Sequence, residues 1–445
     1  MASEEAKLKK VLTRSDLFAI AVGQIIGAGI MALTGIAIGM TGAGVCLAYI
    51  ISAVLAVVRI MPHAILGSCL PTTGGGYRYA SRLISPYVGC IYMFIFLLSQ
   101  LSIGLYSISI GVYAQSIWPS ISVRWVAFGF LTFFYISNII GIKGAANIQK
   151  LMFYILMASL LMFVILGLPK VDFSVFTKAE TLLPNGIRGL LTGVSILAFA
   201  TGGGQVIVEL GGEMKNPKQD IAVVIITSTI ACGILYAAMS AVAAGVLPIQ
   251  QVANKPLTDV ARIILPRPLF YFFIIGGALF ALATTLNAQL GWASRSPIIA
   301  CEDGWLPKPI GKVTEKYGTP IYMLTILYLV GLTPIVVGWT LKTVASLSTA
   351  LSSLQYLLVA IALLYLPPKY SKEFSESPLY MGTGWLKLIT AASILINIMY
   401  YYLLISPLPK NIILGSSILL VLFIVYAYAR GKYLKKEGRL TNLGF

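Results

Sequence analysis

Charge is scarce in this chain. Asp, Glu, Lys and Arg make up 11% of its 445 residues, against roughly 25% in a soluble domain. Only 15 residues are acidic and a single one, His63, is histidine. An enzyme would need a positioned nucleophile–base pair or a metal cluster, and one histidine near a helix end is poor material for either. The five cysteines (Cys46, Cys69, Cys90, Cys232 and Cys301) lack metal-ligand or disulfide-framework spacing and read as small buried side chains. Residues 1–16 lack the basic, short-apolar and cleavage regions of a secretory leader, so the first hydrophobic segment is expected to be retained. Nothing repeats like a selectivity filter, which counts against a channel.

What fills the chain instead is apolar: 58% of residues are hydrophobic and mean hydropathy is +0.89. A spanning helix takes about 20 apolar residues. Twelve such runs stand near 17–41, 43–67, 86–117, 124–140, 148–168, 187–211, 220–247, 267–294, 319–338, 341–366, 383–405 and 411–430. The net charge of +17 then belongs to loops on one face of a bilayer, not to a nucleic-acid surface. Every second loop is basic: Lys7, Lys9, Lys10 and Arg14; Arg78 and Arg82; Lys143 and Lys150; Lys215 and Lys218; Arg295, Lys308, Lys312 and Lys316; Lys369 and Lys372; and a tail with Arg430, Lys432, Lys435, Lys436 and Arg439. Both termini are therefore expected in the cytoplasm of a multi-pass plasma-membrane protein, with the lipid bilayer as its surroundings.

Glycine interrupts two of these runs. The first contains GQIIGAGIM at 23–31, and the sixth contains ATGGGQ at 200–205. One glycine in a membrane helix serves close packing. Clusters five runs apart point to paired discontinuous helices in two halves, and an odd number of helices per half inverts the second. The expected fold is an all-α integral membrane protein with 12 transmembrane helices, a 5+5 inverted repeat, and discontinuous helices 1 and 6. Its parts are an N-terminal segment 1–16, repeats 17–168 and 187–366, accessory helices 383–430 and a tail 431–445. Unwound backbone must find partners, and a zwitterion offers both kinds. The free N–H groups of Ile26, Gly27, Ala28, Gly29 and Ile30 suit a carboxylate. Carbonyls around Phe199, Ala200, Thr201 and Gly202, with Gly203 and Gln205 beside them, suit an ammonium.

The chain resembles the amino acid–polyamine–organocation (APC) transporters, among them bacterial relatives of the L-type amino acid exchangers. The resemblance rests on GxGI at 27–30, PxxGGxYxY at 71–79, PxxGxxYxF at 86–94, AFxxxG at 198–203 and ExKNPxxD at 213–220, and covers nearly the whole chain. It implies an α-amino-acid site between helices 1, 3, 6, 8 and 10, worked by alternating access. The chain departs from the family pattern at Gly204–Gln205, where relatives carry an aromatic–acid pair, in the fifth helix, where LMFYILMAS at 151–159 has no lysine about one and a half turns beyond Gln149, and at His63-Ala64-Ile65, where an acid is common. The adjacent Thr284 and Thr285 resemble the hydroxyl pair that holds Na⁺ in sodium-coupled transporters of this general fold, which makes the carbonyls of Gly23 and Ile26 the other ligands. Na⁺ coupling, exchange or uniport, and proton coupling all stay open. No other cofactor and no obligate subunit is implied.

Polar residues sketch the pocket: Ser99, Gln100, Ser102 and Tyr106 on helix 3, Asn287 and Gln289 on helix 8, and Ser346, Ser348, Thr349, Ser352 and Gln355 on helix 10. Helices 3, 8 and 10 carry no acid at mid-depth, which favours a neutral amino acid; its size stays open, since GGG makes room and an inward Tyr106 takes it away. Arg59 and His63 lie one turn apart and share a helix face; His63 reads as structural. Glu209 and Glu213 read as too shallow to meet a substrate's amine.

Overall fold

The computed structural model describes residues 12–140, 145–314 and 317–440; the side chains of residues 145–152 and of Glu213 fall outside that description. Lys7, Lys9, Lys10, Lys143 and Lys316, on which part of the orientation argument rests, lie outside the described residues.

Helices account for the architecture. In chain order the main ones are α1 (Arg14–Ile25), α2 (Ala28–Thr41), α3 (Val45–Cys69), α4 (Pro86–Ser99), α5 (Ser102–Ile117), α6 (Val123–Ile140), α7 (Ala145–Gly167), α8 (Gly186–Thr201), α9 (Pro217–Gly245), α10 (Phe280–Trp292), α11 (Ile321–Val337), α12 (Leu341–Leu363), α13 (Thr383–Ile405) and α14 (Lys410–Lys436). Their starts follow local chemistry. Thr13 and Asp16 form a reciprocal capping box before α1, and Ser85 caps α4 with Pro86 in its first turn. Among the described residues ten segments are long and apolar enough to cross a membrane, the first being the 56-residue stretch Arg14–Cys69; α11 is a shorter apolar helix.

Three features depart from the apolar runs. The run 86–117 is two helices, because Gln100 and Leu101 turn in 3-10 fashion, their N–H groups bonding Leu97 and Leu98. The run 267–294 starts as a short helix, Arg267–Phe272, and passes through a π-helical stretch, Phe273–Leu279, before α10. The last helix continues to Lys436, six residues into the segment expected to be tail, with Lys435 and Lys436 favourably placed in its final turn.

α3 packs along α9 and α13, α8 lies against α2 and α3, and α12 packs on α4 and α13. The periphery is apolar: Trp125 and Phe133 of α6 are exposed, as are Leu395 of α13 and Val421 of α14. That surface suits lipid and not water. All five cysteines are free and four are buried.

One end of the bundle is laced together. Arg14 pairs with Asp220 at 2.6 Å, and Leu12 bridges Met214. Arg82 forks onto both oxygens of Asp303, at 2.8 and 3.0 Å. Tyr77 donates to the same carboxylate at 2.6 Å; burial and the Asp303 charge push its phenol well above the ordinary value, so it stays a donor.

Candidate functional site

α1 stops at Ile25. Ile26 (φ −81°, ψ 94°) is its extended cap, Gly27 (φ −150°, ψ −135°) is non-helical, and no side chain caps the start of α2. The first N–H groups of α2, those of Ala28, Gly29 and Ile30, have no partner within the helix. α8 stops at Thr201. Gly202 is extended, and Gly203 sits at φ 129°, open only to glycine, before a 3-10 turn over Gly204–Glu209. The carbonyls of Phe199, Ala200 and Thr201 are left at that end.

The breaks touch. A Cβ on Gly203 would lie 3.1 Å from both the Gln24 carbonyl oxygen and the Ile25 nitrogen, and one on Gly29 would overlap the Cα of Ala200. The two glycines of GAG therefore differ in purpose: Gly27 is the unwound residue, whereas Gly29 is helical and lets α8 approach. Opposite dipole ends, the start of α2 and the end of α8, flank the gap.

Side chains take up the carbonyls stranded on α1. Tyr236 of α9, which the sequence did not single out, donates to Ile25 at 2.8 Å. Thr285 Oγ1 lies 2.8 Å from the Ala281 carbonyl, 3.2 Å from Gly23 and 3.4 Å from Ile26. One proton cannot serve three acceptors, so this cluster is rich in oxygen. Thr284, expected to be its partner, bonds back to Phe280 and Ala281 of its own helix.

Beside the breaks lies a cavity of about 100 Å³. Of the residues the sequence offered for substrate, Tyr106, Phe199, Gly202, Gly203 and Gln205 line it. Tyr106 and Phe199 sit ring to ring at 5.9 Å. Gln205 turns back and accepts the Gly203 N–H at 2.9 Å, capping its own break. Residues 26–30 and Ala200 are not among the lining residues, and Thr201 faces Ser52 of α3 at 3.0 Å. From the first segment it is Gln24 that reaches the cavity, accepting from Trp292 Nε1 at 3.2 Å. Gln289 donates to Gln100 and Ser102, at 2.8 and 2.7 Å. Asn287 instead pairs with Asn138 as interhelical glue.

Charged residues are present that the sequence placed elsewhere. Glu209, read as too shallow, is buried and lines the cavity, accepting from Gly76 N and Ser296 Oγ. The tight 3-10 turn carries it there. Arg59 and His63 of α3 line it as well, with Tyr356 of α12 against both. Glu213 lies outside the described side chains. No cluster of His, Cys, Asp and Glu able to hold a metal occurs among the described residues.

The amino acid permease family model matches residues 12–428. The chain belongs to the amino acid permeases. It is thus one of the APC superfamily's transporters, a family of carriers and not of enzymes. The branched-chain amino acid permease BcaP of Bacillus subtilis (strain 168) is 24% identical over 344 residues, 72% of either chain. Cationic amino acid transporter 1 of Arabidopsis thaliana is 25% identical over 383 residues, 80% of this permease and 63% of that protein. A methylthioribose transporter of Bacillus subtilis (strain 168) is 24% identical over 342 residues, covering 72% of this permease and 73% of that protein.

Proposed function

We propose that this permease carries an α-amino acid across the plasma membrane by alternating access around the cavity between its two broken helices. The observation that carries the reading is the contact of the two breaks. Gly203 packs on Gln24 and Ile25 and Gly29 lies against Ala200, so the uncapped start of α2 and the end of α8 meet beside the cavity. That pairing matches the charge separation of an amino acid's carboxylate and ammonium. The topology proposed with it has twelve spans, α1 with α2, α4 with α5, and α8 with its 3-10 turn each counting as one, in two inverted halves. The basic loops argue for cytoplasmic termini.

A second reading concerns coupling. The oxygen cluster of Gly23, Ile26 and Thr285 favours a hard cation such as Na⁺, although the Thr284 hydroxyl bonds back to its own helix. Exchange or proton coupling needs no such cluster. The neutral-substrate expectation considered helices 3, 8 and 10 alone, and Arg59 and Glu209 reopen it.

The test is uptake by proteoliposomes of labelled neutral, acidic and basic amino acids. Each is run with an inward Na⁺ gradient, with a pH gradient, and with unlabelled substrate inside. Saturable uptake of any panel member supports carriage; none across the panel overturns the amino-acid reading. Na⁺-driven accumulation lost in Thr285→Ala and kept in Thr284→Ala assigns the coupling ion to Gly23, Ile26 and Thr285. Uptake that ignores Na⁺ and requires internal substrate makes the protein an exchanger.

A further inference from the structure

The polar lining of the cavity divides into groups that are bonded and groups that are not. On one side Gln24, Gln100, Ser102, Gln289 and Trp292 bond one another. On α3 and α12 the pattern reverses: Arg59 Nε, His63 Nδ1, Ser348 Oγ, Thr349 Oγ1 and Gln355 Nε2 are all buried without a hydrogen-bond partner, and all five side chains line this cavity. Unmet groups are few in a native interior, and five on one wall require an explanation. Arg59 Nε and Gln355 Nε2 can only donate, and the other three are able to.

Arg59 adds a charge. Its side chain is 2% exposed, and its guanidinium carbon lies 4.2 Å from the Tyr356 ring centre and 5.4 Å from that of Tyr400. Among the described residues no carboxylate pairs with it. Ring faces offset part of the cost of a buried cation but supply no acceptor. The nearby acid of the cavity is committed, since Glu209 holds Gly76 and Ser296 through its two oxygens. A wall of donors around an unneutralised guanidinium is complementary to an anionic acceptor, and among amino-acid side chains that is a carboxylate, which accepts only and takes arginine side-on.

Resting on the amino-acid reading above, we propose that the Arg59 wall is the side-chain subsite and that the permease selects acidic amino acids. The α-carboxylate and ammonium go to the helix breaks, and the side-chain carboxylate goes to Arg59, Thr349 and Gln355.

The experiment measures binding of L-glutamate and L-aspartate against L-glutamine and L-asparagine to the purified full-length protein, by calorimetry and by protection from thermal unfolding. Each pair differs only in the terminal group. The expected result is a preference for acid over amide of about a hundredfold, the scale of a buried charge pair. Arg59→Gln should abolish that preference, and Arg59→Lys should retain it in part. Parity or preference for the amide in the unaltered protein overturns the proposal without any variant having to fold. So does a loss of acid and amide binding alike in Arg59→Gln, which would assign Arg59 to the α-carboxylate. Neutral binding with no acid preference sinks this inference alone, whereas no binding by any amino acid sinks the transport reading with it.

Discussion

Single residues at the breaks carry separable duties. Gly203 combines φ 129° with the Gln24 and Ile25 backbone close against it, so Gly203→Ala should cost roughly 1–3 kcal/mol in strain and also prise α1 from α8. A drop in melting temperature together with loss of uptake is expected; unchanged uptake would show that the breaks need not touch. Tyr236→Phe removes only the hydroxyl that meets Ile25. The buried carbonyl left behind should cost about 1–3 kcal/mol of stability, measurable by thermal unfolding in detergent, with the cavity's lining unaltered. How far the sequence foretold these roles depends on reach. Glycine clusters announce unwinding because few other reasons place three glycines in an apolar run. Thr285 was legible through resemblance to a known hydroxyl pair, but the idle Thr284 was not, since a threonine's choice between its own helix and a neighbour is made by packing. Arg59 was visible as a charge, but that it lacks an acid could be seen only once α12 and α13 were in place around it.

At the scale of elements, Arg82 and Tyr77 tie the residue 71–85 stretch to Asp303 in the segment after α10. Arg82 and Asp303 are 5% and 9% exposed in their side chains. Removing one partner of a buried pair is strongly destabilising, at about 3–5 kcal/mol. In a protein with an alternative conformation, that energy biases the equilibrium toward the form in which Arg82 is wetted. Asp303→Asn should therefore open this end. The measurement is labelling of Cys69, buried at the end of α3, in a protein whose other four cysteines are serine. Faster labelling in Asp303→Asn supports a closing role, and an unaltered rate makes the pair a structural tie. The element-level surprises had weak sequence signals. The turn at Gln100 has no proline or glycine to announce it, and the π-helical stretch before α10 keeps helical periodicity. The Gln100 turn adjoins the cavity, where local rules give way to the demands of a site.

For the whole molecule, the all-α, multi-spanning character was legible, because a bilayer requires long apolar runs and punishes polar interruptions. The family match over residues 12–428 bears out the resemblance carried by the motifs. Side-chain selectivity was not legible, because the cavity draws on α1, α3, α4, α5, α8, α10 and α12 at once and no one segment discloses the sum. A prediction at this scale follows from the basic loops: tags at the two termini should both be shielded from protease in sealed, right-side-out cells and cleaved together once the membrane is permeabilised. Cleavage of either in sealed cells overturns the proposed orientation.

The tie between Arg14 and Asp220 spans 206 residues of sequence, and this has a bearing on synthesis. At about 5–20 residues per second on the ribosome, the first helix waits roughly 10–40 s for its partner to be made. Gly203, against which its broken end packs, emerges only shortly before. During that interval the unwound turn of the first half lacks the partner against which it packs in the folded protein. Slowing translation upstream of residue 203 should lengthen that interval and lower the yield of folded protein, whereas a pause placed after residue 220 should not.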